Sequence, residues 1–167
     1  MSNIIHPVDR DDATLSLLLT IWEGSVKSTH TFLSDQDIAD IKPEVYQTLQ
    51  MIEVLCCYED DQGILQGLMG IDNHKIELLF ISENARGQGI GKLLVNHAIT
   101  QWQVKSVDVN AQNEQGLIFY QHMGFQIINR SEFDAQGRPF PILHLCLPFL
   151  LSPSLFFSFT GYLFNTI

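Results

Sequence analysis

The chain has 167 residues, 46% of them apolar and 17% charged, with nine Lys and Arg against nineteen Asp and Glu for a formal net charge of −10. That composition is globular, fits one domain with an ordinary core and excludes a disordered chain. It also argues against nucleic acid as a partner, because phosphate binding needs clustered Lys and Arg and the nine cations are spread along the chain.

Taken in order, residues 3–8 suit a short first strand. Asp11 and Asp12 then precede Leu15, Leu18, Leu19 and Trp22 at helical spacing, with acidic residues in the first turn, as an amphipathic helix requires. After a mixed segment containing Ser25, Lys27, His30 and Phe32, the short polar side chains of Asp35, Gln36 and Asp37 can cap a second helix up to Ile41. Pro43 is expected to begin a further helical turn, because its fixed φ suits a first helical position.

From Glu53 the period changes. Residues 54–58 are β-rich, Asp60, Asp61, Gln62 and Gly63 form a turn, residues 64–71 make a second strand, and Asp72, Asn73 and His74 turn into a third over 75–81. The third strand runs into Arg86-Gly87-Gln88-Gly89-Ile90-Gly91-Lys92. A helix to about Gln101 follows, burying the face of Leu94, Ala98 and Trp102. Residues 106–110 form a strand expected to lie parallel to the third through a right-handed crossover, and a helix carrying Tyr120 comes next. Residues 125–133 and 139–147 close the domain as a hairpin, with Pro139 and Pro141 placing the last strand at an edge. The fold class is therefore α/β (α+β), a mixed, mostly antiparallel sheet of six to seven strands flanked by four helices.

The domain is expected to span residues 1–148. Residues 149–167 are uncharged and aromatic-rich, but Pro148 stands before them and Pro153 interrupts them. Only about fourteen residues follow Pro153, short of the roughly twenty a membrane helix needs, so the stretch reads as an apolar extension. Cys56, Cys57 and Cys146 give neither a disulfide framework nor metal spacing. The six histidines stand singly, so no metal is expected, and the absence of a secretory leader pattern points to the cytoplasm.

The chemistry gathers around the glycine turn. A strand that delivers the backbone to a turn where residues without Cβ let successive N–H groups converge, followed by a helix N-terminus carrying about half a positive charge, is a cradle for a pyrophosphate. Dinucleotide spacing fails, because Lys92 stands where the fingerprint needs Gly; the mononucleotide P-loop fails too, with Arg86 and Leu93 at its required positions. Arg86-x-x-Gly89-x-Gly91 instead resembles the acyl-CoA signature of the GCN5-related N-acetyltransferase family. Asn113, Gly116 three residues later, Tyr120 seven later, and Gly124-Phe125 opening the next strand resemble that family's other recurrent motif. The ends, from Trp22 and Ser25 to the Gly137-Arg138-Pro139 turn, are similar to a bacterial subgroup of small acetyltransferases of the YjaB type.

The resemblance implies an acetyl-CoA-dependent N-acetyltransferase acting on a primary amine of a small molecule or peptide by direct attack, as a monomer or homodimer. It implies pantetheine contacts along the backbone of Leu79, Phe80 and Ile81, pyrophosphate contacts from the amides of Gln88, Gly89, Ile90, Gly91 and Lys92 with Arg86 and Lys92 as charge partners, and contacts from Asn113. Tyr120 is the implied general acid for the departing sulfur. For the base, Glu77 is the best carboxylate, because alternation puts it opposite Ile76, Leu78 and Phe80; His30, near Trp22 and Ser25 on the acceptor side, and water remain open. The same features would also serve a CoA-binding sensor module without turnover.

Overall fold

A computed structural model describes residues 3–148 of the chain; the expected apolar extension lies outside them. Strand β1 (Ile4–Ile5), helices α1 (Asp12–Thr29) and α2 (Asp35–Met51), the meander β2 (Val54–Glu59), β3 (Leu65–Asp72) and β4 (Lys75–Ile81), then α3 (Ile90–Trp102), β5 (Ser106–Asn110), α4 (Glu114–His122), β6 (Gln126–Ser131) and β7 (Ile142–Cys146) follow in order. The seven strands form one sheet in the order β1-β2-β3-β4-β5-β7-β6, in which β4 and β5 are parallel and the other neighbours antiparallel.

Two apolar layers cover the sheet. On one face α1 and α2 bring Leu15, Leu18, Trp22, Ile41 and Val45 against Leu68, Leu78 and Phe80. On the other, α3 and α4 bring Leu94, Val95, Ala98 and Tyr120 against Ile76, Leu79, Val107 and Val109. A central strand sandwiched between two layers is covered on both faces, and all seven residues of β4 are buried, Lys75 and Glu77 among them.

Three expectations change. Pro43 does not divide the second helix: α2 runs through it to Met51. The chain tolerates the missing N–H because Ile38, Ile41, Val45 and Leu49 keep one buried face on both sides of the proline. Ser34, with Asp37 in a capping box, starts the helix. The closing hairpin forms, but β7 is interior, bonded to both β5 and β6, and β6 is the edge. Pro139 and Pro141 precede the ladder, which starts at Ile142, so neither costs the sheet a donor.

The third change lies in β4. Its register on β3 passes from Gly70↔Leu78 to Ile71↔Ile76, leaving Glu77 as an extra residue in a β-bulge. Ile76 packs with α3 and α4 while Leu78 and Phe80 pack with α1 and α2. Glu77 therefore lies opposite Ile76, as alternation predicts, but shares its side of the sheet with Leu78 and Phe80. The bulge adds the residue that breaks the period of two.

Candidate active site

The ladder between β4 and β5 contains only Lys75↔Ser106 and Ile76↔Val107. Past that point β4 continues on β3 to Ile81 and β5 continues on β7 to Asn110. The facing edges of the two strands thus diverge and leave backbone groups of Leu79, Phe80 and Ile81 unpaired with β5. An unpaired strand edge satisfies an amide chain as a neighbouring strand would.

At the C-terminal end of β4 the chain makes a short 3-10 turn, Glu83–Ala85, and enters α3 through Gly87 and Gly89, with φ of 73° and 83°. Both lie in the left-handed region that glycine occupies without strain. Asp11, Ser34 and Asn113 cap α1, α2 and α4 with side-chain oxygens, whereas Gly89 gives α3 no side-chain cap. The first-turn amides of α3 are left to an external acceptor. They border a cleft of about 580 Å³ whose walls include Ile81, Arg86, Gly87, Gly89, Ile90, Gly91 and Lys92 on one side and Gln115, Phe119, His122 and Met123 of α4 on the other. No carboxylate lines it, in a chain with nineteen acidic residues. An anion fits such a cleft.

The side chains around this turn do not all go where the motif suggests. The Arg86 guanidinium reaches α1, donating to Ser25 O at 3.0 Å, Ser25 Oγ at 3.2 Å and Ser28 Oγ at 2.6 Å. It braces α1 against the turn. Gln88 folds back, its Nε2 donating to Asn84 O at 3.2 Å. Lys92 is exposed on the cleft wall. Trp22, Ser25 and His30, expected on the acceptor side, are buried, and none lines this cleft or the one at Glu77 described below.

Tyr120 is fully buried, with its ring edge-on to Phe119 and Phe125 at 5.1 and 5.7 Å. Its hydroxyl has no hydrogen-bond partner among the described residues, and burial pushes its pKa up, so the phenol keeps its proton. Leaving a buried hydroxyl unsatisfied costs about 1–3 kcal/mol. Asn113 is not on the helix face with Tyr120 but caps α4, its Oδ1 accepting from Gly116 N at 3.1 Å, while its Nδ2 is also buried and unpartnered. Both unpartnered groups are buried, Asn113 at the N-cap of α4 and Tyr120 in its last turn, and neither lines the glycine-turn cleft.

Glu77 is 7% exposed. It lines a second cleft, about 610 Å³, with Glu44, Gln47, Thr48 and Met51 of α2, Ile52 just after it, Asp72 of β3 and Gln136 of the loop between β6 and β7. Burial raises its pKa to about 7 against the pull of Lys75, and its Oε2 has no hydrogen-bond partner. His30 differs: burial, with a contribution from Arg86, lowers its pKa to about 4, which leaves it neutral but a weak base. Cys56 and Cys57 are pushed up to about 12 by burial and stay protonated thiols. Among the described residues no group of His, Cys, Asp and Glu could hold a metal ion.

Sequence reasoning missed Lys75, although it stands two residues before Glu77 on the same strand, and had no signal for Asp108 and His144, which strand register brings to Lys75 and to each other. Histidine and carboxylate residues that look isolated along the chain are brought together at His144 and Asp108, 2.6 Å apart. The α4 wall of the glycine-turn cleft was legible in principle, since Gln115, Phe119, His122 and Met123 recur at i, i+4, i+7 and i+8.

The family model described as an acetyltransferase (GNAT) domain matches residues 52–127. The peptidyl-lysine N-acetyltransferase YjaB of Salmonella typhimurium is 39% identical over 131 residues, covering 78% of this chain and 90% of that protein. The chain belongs to the GCN5-related N-acetyltransferase (GNAT) family. It is an acetyl-CoA-dependent N-acetyltransferase with the GNAT fold. The solution structure of apo YjaB from Escherichia coli superposes with a TM-score of 0.74 at 34% identity, over 80% of this chain and 90% of that one. A PaiA N-acetyltransferase from Thermoplasma acidophilum, solved with coenzyme A, shares the fold with a TM-score of 0.63 at 20% identity, over 84% of this chain and 97% of that one. The residues present fit acetyl-CoA as the GNAT acyl donor: an uncapped helix start, a cleft without carboxylates, a free strand edge and unpartnered buried groups at Tyr120 and Asn113.

Proposed function

We propose that the chain acetylates the ε-amino group of lysine in peptide or protein substrates. The observation that carries this reading is the Glu77 carboxylate, buried with one unpartnered oxygen and lining a cleft it shares with Glu44 and Asp72. Acidic walls attract an ammonium, and Met51 and Ile52 offer apolar surface to the methylene stem that carries it. The YjaB relatives, named as peptidyl-lysine N-acetyltransferases, support the same acceptor.

Acetyl-CoA supplies the thioester. The first-turn amides of α3, including those of Gly91 and Lys92, hold its pyrophosphate, and the free edge of β4 at Leu79, Phe80 and Ile81 orders its amide chain. Arg86 acts here by holding α1 against the turn. A backbone N–H near Leu79 or Phe80 stabilises the carbonyl oxygen during attack. Glu77 takes a proton from the lysine ammonium, freeing the amine to attack; as the carbon–sulfur bond breaks, the Tyr120 hydroxyl gives its proton to the departing sulfur and the proton shed by the acetylated nitrogen restores the tyrosine. A base must be ionised to act, so activity rises with pH through about 7, the value of Glu77. Free, buried cysteines are consistent with action in the reducing cytoplasm.

The test is a panel of lysine peptides, free amino acids, polyamines and aminoglycosides, followed by thiol release and mass spectrometry of the acceptor. Preferential acetylation of lysine peptides at Nε supports the reading. Turnover confined to small-molecule amines overturns it.

A further inference from the structure

Glu77 stands at one end of a buried polar chain that crosses four strands. Lys75 Nζ lies 3.2 Å from Glu77 Oε1 and 2.6 Å from Asp108 Oδ2. On the far side of Asp108, His144 Nδ1 lies 2.6 Å from Oδ1, and Ser131 Oγ lies 2.7 Å from His144 Nε2. Register builds this row: Lys75 pairs with Ser106 and Asp108 pairs with His144. Lys75, Glu77, Asp108 and His144 are all buried.

We propose that Lys75 and Asp108 are positioning residues that set where the Glu77 carboxylate sits and how tightly it holds its proton, with His144 and Ser131 fixing Asp108 from β7 and β6. This rests on Glu77 being the base.

Two carboxylates share one ammonium here. A single positive charge compensates one of them fully, so whatever strengthens the hold of Asp108 on Lys75 weakens that of Glu77. The distances show the division: the contact to Asp108 is the shorter, and Glu77 keeps an unpartnered oxygen. His144 secures the arrangement. When its Nδ1–H donates to Asp108, its Nε2 is left to accept the Ser131 hydroxyl, so the histidine is held from both ends and fixes the place of the Asp108 carboxyl. The other charges facing Glu77 are Asp72 from β3 and Glu44 from α2, both acidic. Arg138, in the loop between β6 and β7, is engaged by Asp134 at 2.6 Å and Glu44 at 3.4 Å. Lys75 therefore supplies the cation in contact with the base, and Asp108 sets how much of it the base receives.

The two residues push Glu77 in opposite directions. Lys75→Met removes the favourable charge and raises the Glu77 titration; Asp108→Asn removes a competitor and a like charge and lowers it. Each shift is expected at about one pH unit or more for a charge at this range. Because a single change can leave a buried charge alone and unfold the protein, the double variant Lys75→Met/Asp108→Asn, with a neutral row, is included. Its Glu77 titration should fall between those of the two single variants.

Glu77 is titrated by carbon NMR of its side-chain carboxyl in the full chain, and the acid limb of kcat/KM is measured with acetyl-CoA and a lysine peptide. Opposite displacements in the single variants, or a displacement of the expected sign in whichever single variant folds, with the double variant nearer to wild type, support the inference. A Glu77 titration that stays at its wild-type position in a folded single variant overturns it, since a purely structural row would change stability and leave the titration alone. A titration that moves while the acid limb does not supports the positioning and overturns the assignment of Glu77 as base.

Discussion

Replacing Glu77 by Gln should make the protein more stable and less active at the same pH. The unfolded carboxyl titrates at its ordinary 4.5, and burial raises it to about 7 in the fold. The native state therefore binds the proton more tightly. Its contribution to stability is fully present below pH 4.5 and is lost as pH rises through about 7. At pH 8 the wild type must hold an ionised, buried carboxylate, whereas Gln is neutral at every pH. Moving a carboxyl from 4.5 to about 7 corresponds to about 3 kcal/mol at 1.36 kcal/mol per pH unit. Glu77 is nearly enclosed, so solvent screening takes little from this figure. Lys75 keeps Asp108 as its partner in the variant. Urea unfolding at pH 5 and pH 8 is the assay: a small difference at pH 5, a gain approaching ~3 kcal/mol at pH 8, and a fall in turnover of about 10²- to 10⁴-fold are expected. A stability difference of the same size at both pH values, or destabilisation at pH 8, would refute the reasoning.

Acetyl-CoA at a hundredfold excess over its dissociation constant should stabilise the wild type by about 2.7 kcal/mol, and Gly89→Asp should abolish this, because its φ of 83° strains any side chain and the charge opposes phosphate; thermal shift reads both. Arg86→Met should lower the melting temperature of the free protein, since three hydrogen bonds tie Arg86 to α1; an unchanged melting temperature with weakened acetyl-CoA binding would make it a phosphate ligand instead. Gly70→Ala should cost about 1–3 kcal/mol in chemical denaturation, because its Cβ would lie 2.6 Å from Ile52 Cδ1 and 3.2 Å from Leu78 Cδ1.

Much of this was legible in the residues. Turn chemistry at 60–63 and 72–74 marks the meander, and glycines at 87 and 89 between an apolar strand and an amphipathic helix mark the cradle, because each signal is local. The bulge at Glu77 was not, since Lys75, Ile76, Glu77 and Leu78 alternate charged and apolar as an unbroken strand would, and the extra residue shows only in the pairing with β3. The place of β7 between β5 and β6 was hidden for a related reason: Pro139 and Pro141 say where pairing cannot occur but not where it starts. At the site, the glycines and Tyr120 announce themselves by spacing. The fate of Arg86 does not, because its partners Ser25 and Ser28 lie about sixty residues away. Trp22 is buried on the apolar stripe that its spacing with Leu15 and Leu18 marks, which takes it from the acceptor side, and His30 is buried beyond it at the C-cap of α1.

The most direct measurement is single-turnover acetyl transfer by Tyr120→Phe, at saturating acetyl-CoA and a pH where Glu77 is ionised. Phenylalanine keeps the contacts with Phe119 and Phe125 and removes only a buried, unpartnered hydroxyl. Transfer should slow by about 10²- to 10⁴-fold, with acetyl-CoA affinity retained and the free protein no less stable. Wild-type single-turnover rates in a folded Tyr120→Phe protein would contradict the account.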